Sequence, residues 1–200
     1  MPPPFELNKP WTVRWFRFNF KDVFSLEFLY KRVHEWLIEE GYCEDSTKDR
    51  GDTWIEKLYL ERDLGGGAKQ IWIWWRVDKP YASPFFKFYL DVDFHVLGLV
   101  EHEIVVEGTK VKTNRGEVDA FITAKMELDP KGEWNKNFIL GNKYIQKFFL
   151  NRIYRHRIES VEDEIVRDAA RLLGAIKQYF QLESWLPEYA GPPFHPKKGE

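Results

Sequence analysis

The sequence predicts an α+β domain, an antiparallel sheet meander with one N-proximal helix before it and a long C-terminal helical region after it. Three observations carry this. Apolar and polar residues alternate with period two in several segments between positions 11 and 128, and helical spacing appears near 22–41 and again over 138–180. Short turn signals, not helices, separate the segments from residue 54 onward, which favours antiparallel neighbours over crossovers. Two hundred residues make one ordinary domain. Residues 1–10 form a proline-rich leader, 11–181 the domain, and 182–200 an extended tail with Trp185, Leu186, Tyr189 and four prolines.

The first strand is read from Trp11 to Phe20, with Phe16, Phe18 and Phe20 opposite Arg17 and Asn19. Asp22 is the expected cap of the helix that follows, in which Phe24, Phe28, Leu29, Val33, Trp36 and Leu37 share a stripe until Gly41 stops it. Glu44 to Asp52 reads as a loop. Trp54, Leu58 and Leu60 alternate up to the glycines 65–67, which suit a hairpin turn. Ile71, Ile73, Trp75 and Val77 alternate with Trp72, Trp74 and Arg76, so this strand is apolar on both faces and belongs inside the sheet. From Phe86 to Val96 every even position is apolar and faces the core; Lys87, Tyr89, Asp91, Asp93 and His95 face water. Beyond Gly98 the pattern continues through Val100, Ile104 and Val106, Asn114 to Gly116 reads as a turn, and Val118 to Leu128 is the last strand.

Helical spacing returns from Phe138 to Phe180. Unbroken, that helix would be roughly 65 Å long at 1.5 Å per residue, more than ten-residue strands can cover. Either it bends near Ile158 to Ser160 or one half projects as an arm. Charge along it is segregated. Lys143, Lys147, Arg152, Arg155 and Arg157 occur without an acid, and Glu159, Glu162, Asp163, Glu164 and Asp168 follow with Arg167 as the lone base among them. A solvated face ordinarily interleaves the signs. The basic block, interleaved with Tyr144, Phe148, Phe149 and Tyr154, suits a phosphate-rich or acidic surface such as a ribosomal protein or rRNA. A projecting arm would leave Ile145, Phe148, Phe149 and Ile153 in water, so a homodimer is expected. Two-fold pairing would cover this stripe and set Lys147, Arg152 and Arg155 against Glu159, Glu162 and Asp163 of the other copy.

Composition narrows the function class. The net charge of −2 gives the molecule no overall polyanion-seeking field, so any such affinity is local. No apolar run reaches the roughly 18 residues of a membrane span and no signal core opens the chain, so it reads as a cytoplasmic protein that makes no use of a membrane. The single Cys43 forbids an internal disulfide. Four Gln, seven Asn and two Met against 62 charged residues is a heat-adapted balance. The 34 aromatic residues demand a large core, a ligand cavity or an interface.

Catalytic signatures are missing. Asp91, Asp93 and His95 share a strand face, with His102 and Glu103 across the bend, and could hold a divalent metal or share a proton; polar residues at alternate positions are equally the mark of a solvated face. The triple glycine leads into a strand, not into the helix a phosphate loop requires, and neither His-Glu-x-x-His nor Gly-x-Ser-x-Gly occurs. The reading is a non-enzymatic protein with no cofactor.

The order strand, helix, antiparallel strands and long terminal helix over residues 11–181 resembles the helix-grip fold of START-like proteins. That resemblance implies a curved sheet around the terminal helix, and a carrier of hydrophobic small molecules with Phe88, Leu90, Val92, Phe94 and Trp74 as pocket lining. In size, heat-adapted composition and basic helical stretch the chain is also similar to the archaeal ribosome dimerization factors. Membership would imply a homodimer that joins small ribosomal subunits and silences translation under stress, in the manner of hibernation.

Overall fold

The computed structural model describes residues 6–42, 55–106, 109–136 and 142–184. Strand β1 (Trp11–Phe24) leads into helix α1 (Leu26–Glu39), then come β2 (Glu56–Gly65), β3 (Ala68–Pro80), β4 (Phe86–Val106) and β5 (Thr109–Leu128). A four-residue helix α2 (Glu133–Lys136), a short helix α3 (Lys143–Phe148), a π-helical turn (Phe149–Ile153) and the long helix α4 (Arg155–Ser184) complete the chain. The fold class is therefore the α+β arrangement expected. All pairings between strands are antiparallel, in the order β1-β5-β4-β3-β2, so the first strand lies beside the last and β4 is the middle of the sheet.

Helices α4 and α1 cover one face. Leu29, Val33, Trp36 and Leu37 of α1 are buried, as are Ile158, Val161, Ile165, Ala169, Leu172, Ile176 and Phe180 of α4, the i, i+3, i+4 stripe of a helix on a sheet. Opposite them lie the even positions from Phe86 to Val96, all nearly inaccessible, together with Val118, Ala120, Ile122, Ala124, Met126 and Leu128. Phe180 packs against Phe18, Phe20 and Phe24, which closes the core at the start of α1. The β2–β3 hairpin turns at Gly66 and Gly67, both with positive φ, the requirement of a two-residue turn that matches strand twist.

Several expectations are corrected. Phe24 ends β1 instead of opening the helix, because β5 is long enough to pair with it at Asn114; Ser25, not Asp22, caps α1 by accepting from the Phe28 N–H at 3.4 Å. Asn114 to Gly116 is no turn but the interior of β5: Asn114 and Arg115 pair with both β1 and β4, and Gly116 with β1. Gly116 faces a bulge in β4 between Leu97 and Val100, and a Cβ there would lie 3.1 Å from the Leu97 carbonyl oxygen and 3.2 Å from the Leu99 Cα. The glycine serves a close approach of backbones, which mimics a turn signal in sequence. Ile158 to Ser160 is regular helix, and the break comes earlier, at the π-helical turn and Tyr154. Helix α4 continues to Ser184. Cys43, the Glu44 to Asp52 loop, Trp54, Phe138 and the tail from 185 lie outside the described residues.

Candidate functional site

The basic and aromatic block is split by the way the chain breaks. Asn142 caps α3 by accepting from the Tyr144 N–H at 3.0 Å. Five residues after Phe149, the Tyr154 N–H donates to the Phe149 carbonyl at 2.9 Å, and this wider turn brings both rings to one side, stacked 5.8 Å apart. They pack around Trp134, which in turn stacks on Phe85 at 4.2 Å, while Leu150 is fully buried. Phe149 and Tyr154 thus anchor the segment. The residues between and before them face water: Tyr144 is 87% exposed, Ile145 42%, Phe148 59% and Ile153 60%. Beside them Lys147 and Arg152 are exposed, and neither makes an ion pair with a described residue; Lys143 opens α3.

Most of the other charges of the region are engaged within the chain. Arg155 donates to Glu159 at 2.7 Å, one turn along α4. Glu162 accepts the Trp11 indole N–H at 3.0 Å; burial raises its carboxyl above the usual range, against the effect of that hydrogen bond, and the neighbouring Glu159 and Asp163 add to the rise. The Tyr81 hydroxyl donates to Glu164 at 3.1 Å with Arg157 beside it, and Asp168 accepts from the Tyr42 hydroxyl at 2.9 Å and from Arg171 at 2.7 Å. Burial, with Asp168 and Glu40 nearby, pushes the Tyr42 phenol far above its ordinary value. Asp163 remains exposed. Of the expected two-fold set, Glu159 and Glu162 are therefore spent on their own chain, and segregation in sequence becomes pairing in space.

The wet face of β4 is likewise a closed network. Arg76 ion-pairs with Asp93 and with Asp91, and Lys125 holds Asp91 from the other side. His95 stacks on Trp72 at 5.2 Å and shares a hydrogen bond of 2.8 Å with Gln70. On β5, Asp119 is pushed up by burial, yet hydrogen bonds from Asn19 and Arg17 outweigh this and hold it below the carboxylate range. His102 and Glu103 lie beyond the bulge; Glu103 faces Lys110 at 3.7 Å. No cluster of three or more His, Cys, Asp or Glu among the described residues could hold a metal. The cations that neutralise these carboxylates, Arg76 and Lys125, come from neighbouring strands, which alternation along β4 does not reveal.

The expected pocket lining does not assemble. Phe88, Leu90, Val92 and Phe94 are buried against α4 and its neighbours, whereas Trp74 is on the opposite face of the sheet, 43% exposed. A cleft of about 610 Å³ does open elsewhere, between the start of α1 and the ends of β2, β3 and β4, with Leu26, Tyr30, Tyr59, Ile71, Ile73 and Leu99 on its walls. Sequence reading missed it because these residues come from four separate elements. No helix among the described residues is long and apolar enough to cross a membrane. Comparison with known protein families, curated proteins and solved structures found no match.

Proposed function

We propose that the chain is a non-enzymatic adaptor of the cytoplasm that binds its partner through Lys143–Ile153. The observation that carries this reading is the coincidence of Tyr144, Ile145, Phe148 and Ile153 in water with Lys147 and Arg152 on one short segment. Covering an Ile or Phe side chain is worth up to about 1.5–3 kcal/mol, so the apolar residues supply affinity. Exposed cations add little affinity but set the sign of the surface they meet. A ribonucleoprotein offers phosphates and apolar protein patches together, and the small ribosomal subunit is the target that the likeness to ribosome dimerization factors implies. Its role would be to silence translation under stress. A second copy is the weaker occupant of this patch, since Glu159 and Glu162 already have partners.

Tagged protein in cell lysate should sediment with ribosomal particles on a sucrose gradient and leave them as salt rises, because each phosphate contact releases counterions. Phe148→Asp should shift it to the top of the gradient with its fold unchanged. Wild-type protein at the top of the gradient at low salt would overturn the adaptor reading. The cleft beside α1 favours a second reading, a carrier of a hydrophobic small molecule, since about 610 Å³ falls within the range of ligand sites. Purified protein would then release a bound apolar compound on denaturation.

A further inference from the structure

The cleft of about 610 Å³ beside α1 has an apolar floor and an uneven rim of charge. Ile71, Ile73 and Leu99 line it although each is almost inaccessible to solvent, so they present a smooth aliphatic surface at its base. Tyr59 pairs with Ile73 and Glu61 with Ile71, and directly opposed residues share a sheet face, which brings both β2 side chains to the same side as that floor. Among the described residues that line the cleft, Glu27, Glu61 and Glu101 are the acids and Lys69 is the one base. Glu27 is held by Lys31 along α1, and Glu61 holds Lys69 at 2.7 Å with both side chains still solvated. Glu101 is left over, with no ion pair to a described residue. The titratable groups on the walls sense a field of that sign. Burial, then the hydrogen bond to Glu56, raises the Tyr30 phenol; burial, then Glu61 and Glu56, raises the Tyr59 phenol; and Glu61, with Glu101 and Asp63 adding to it, keeps the proton on Lys69 to higher pH than usual.

We infer that this cleft binds an amphiphilic organic cation, an apolar body that carries a protonated or quaternary amine. The inference rests on reading the cleft as a ligand site and adds the charge class of what it takes. The apolar body covers Ile71, Ile73 and Leu99, and Tyr30 and Tyr59 supply aromatic surface that suits the body and, face-on, a cation as well. The head lies at the Glu61 and Glu101 end, where Lys69 neutralises one of two carboxylates and leaves one charge to be met. A neutral ligand over the same floor would strip water from these carboxylates and return nothing, which is costly; a cationic head replaces the lost water with an ion pair. An anionic head would meet the carboxylates with Lys69 already engaged. Of the three head charges, only the positive one is complementary.

Decylamine, decanol and decanoate share one chain and differ in head charge near neutral pH, since an alkylammonium keeps its proton as lysine does. Isothermal titration calorimetry of the full chain should rank them in that order, with decylamine bound at least about tenfold more tightly than decanol. Rising salt should narrow the gap, because the preference is electrostatic. Glu61→Gln combined with Glu101→Gln should bring decylamine down to the level of decanol while decanol itself binds as before, which a misfolded variant could not do. Tyr59→Arg, which sets a cation in the cleft, should also weaken decylamine at least about tenfold with the far-ultraviolet circular dichroism unchanged. Equal affinity for amine and alcohol, or a preference for decanoate, would overturn the cationic ligand and leave the carrier reading standing. Failure of all three to bind would overturn both. Decylamine binding that survives the double substitution but is lost on Phe148→Asp would put the amine on the docking segment and overturn the cleft as its site.

Discussion

At Asp91 the alternation of β4 reads a solvated carboxylate, yet the residue is only 9% exposed and sits between Lys125 and Arg76. Its neighbour Leu90 is completely buried on the other face. Truncating a buried leucine removes transfer energy and leaves a cavity, so Leu90→Ala should cost about 2–5 kcal/mol in urea unfolding. Asp91→Ala should cost about 1–3 kcal/mol, the scale of a lost charge-assisted hydrogen bond, because Asp93 is left to neutralise the local cations alone. A cost near zero at Asp91 would mean that water already screens the network.

At the scale of elements, the bulge in β4 and Gly116 in β5 form one device. Gly116→Ala would press a methyl group against backbone atoms of Leu97 and Leu99, which cannot rotate away, so a loss of about 1–3 kcal/mol is expected in thermal or chemical unfolding. Two residues inserted after Arg115 should unfold the protein, since they would break pairing to both β1 and β4. The same insertion between Gly66 and Gly67 should be tolerated, because that turn is an exposed hairpin tip. The π-helical turn is the other element-scale device. It rotates Phe149 and Tyr154 inward and leaves Phe148 and Ile153 outside, which makes a docking segment from what would otherwise be a continuous stripe.

Across the whole molecule, remote segments are tied by polar contacts. The Asn8 N–H donates to the Leu128 carbonyl at 2.9 Å, the Tyr179 hydroxyl to the Ser25 carbonyl at 2.8 Å, and Trp11 to Glu162. The last tie is pH-dependent. Folding raises the Glu162 pKa, chiefly by burial, so between the ordinary glutamate value and the raised one the folded state holds the extra proton. Its contribution to stability is therefore fully present below the ordinary value and falls as pH rises through that window. Glu162→Gln keeps a neutral acceptor for Trp11, so its melting temperature should exceed that of wild type at pH 7 and match it near pH 3. An equal difference at both pH values would assign the effect to packing.

Local periodicity determined much of this molecule. The stripe from Phe86 to Val96, the glycine hairpin, the α+β order and four residues of the apolar face of α1 follow from side-chain spacing within one segment, whereas Phe24 ends β1 and Phe28 of the same expected stripe is exposed. The basic and aromatic residues of 143–157 were also legible as a block. Which of them meet water was not, because the helical period fails at the π turn, and that turn depends on Trp134 and Phe85 from elsewhere in the chain. The extension of β1 to Phe24, the role of Gly116, the cations on Asp91 and the partner of Glu162 were decided only in three dimensions. The ties among them that join distant segments come from elements separated by tens to more than a hundred residues, and no local pattern encodes which strand lies alongside or which edge of a sheet is left open.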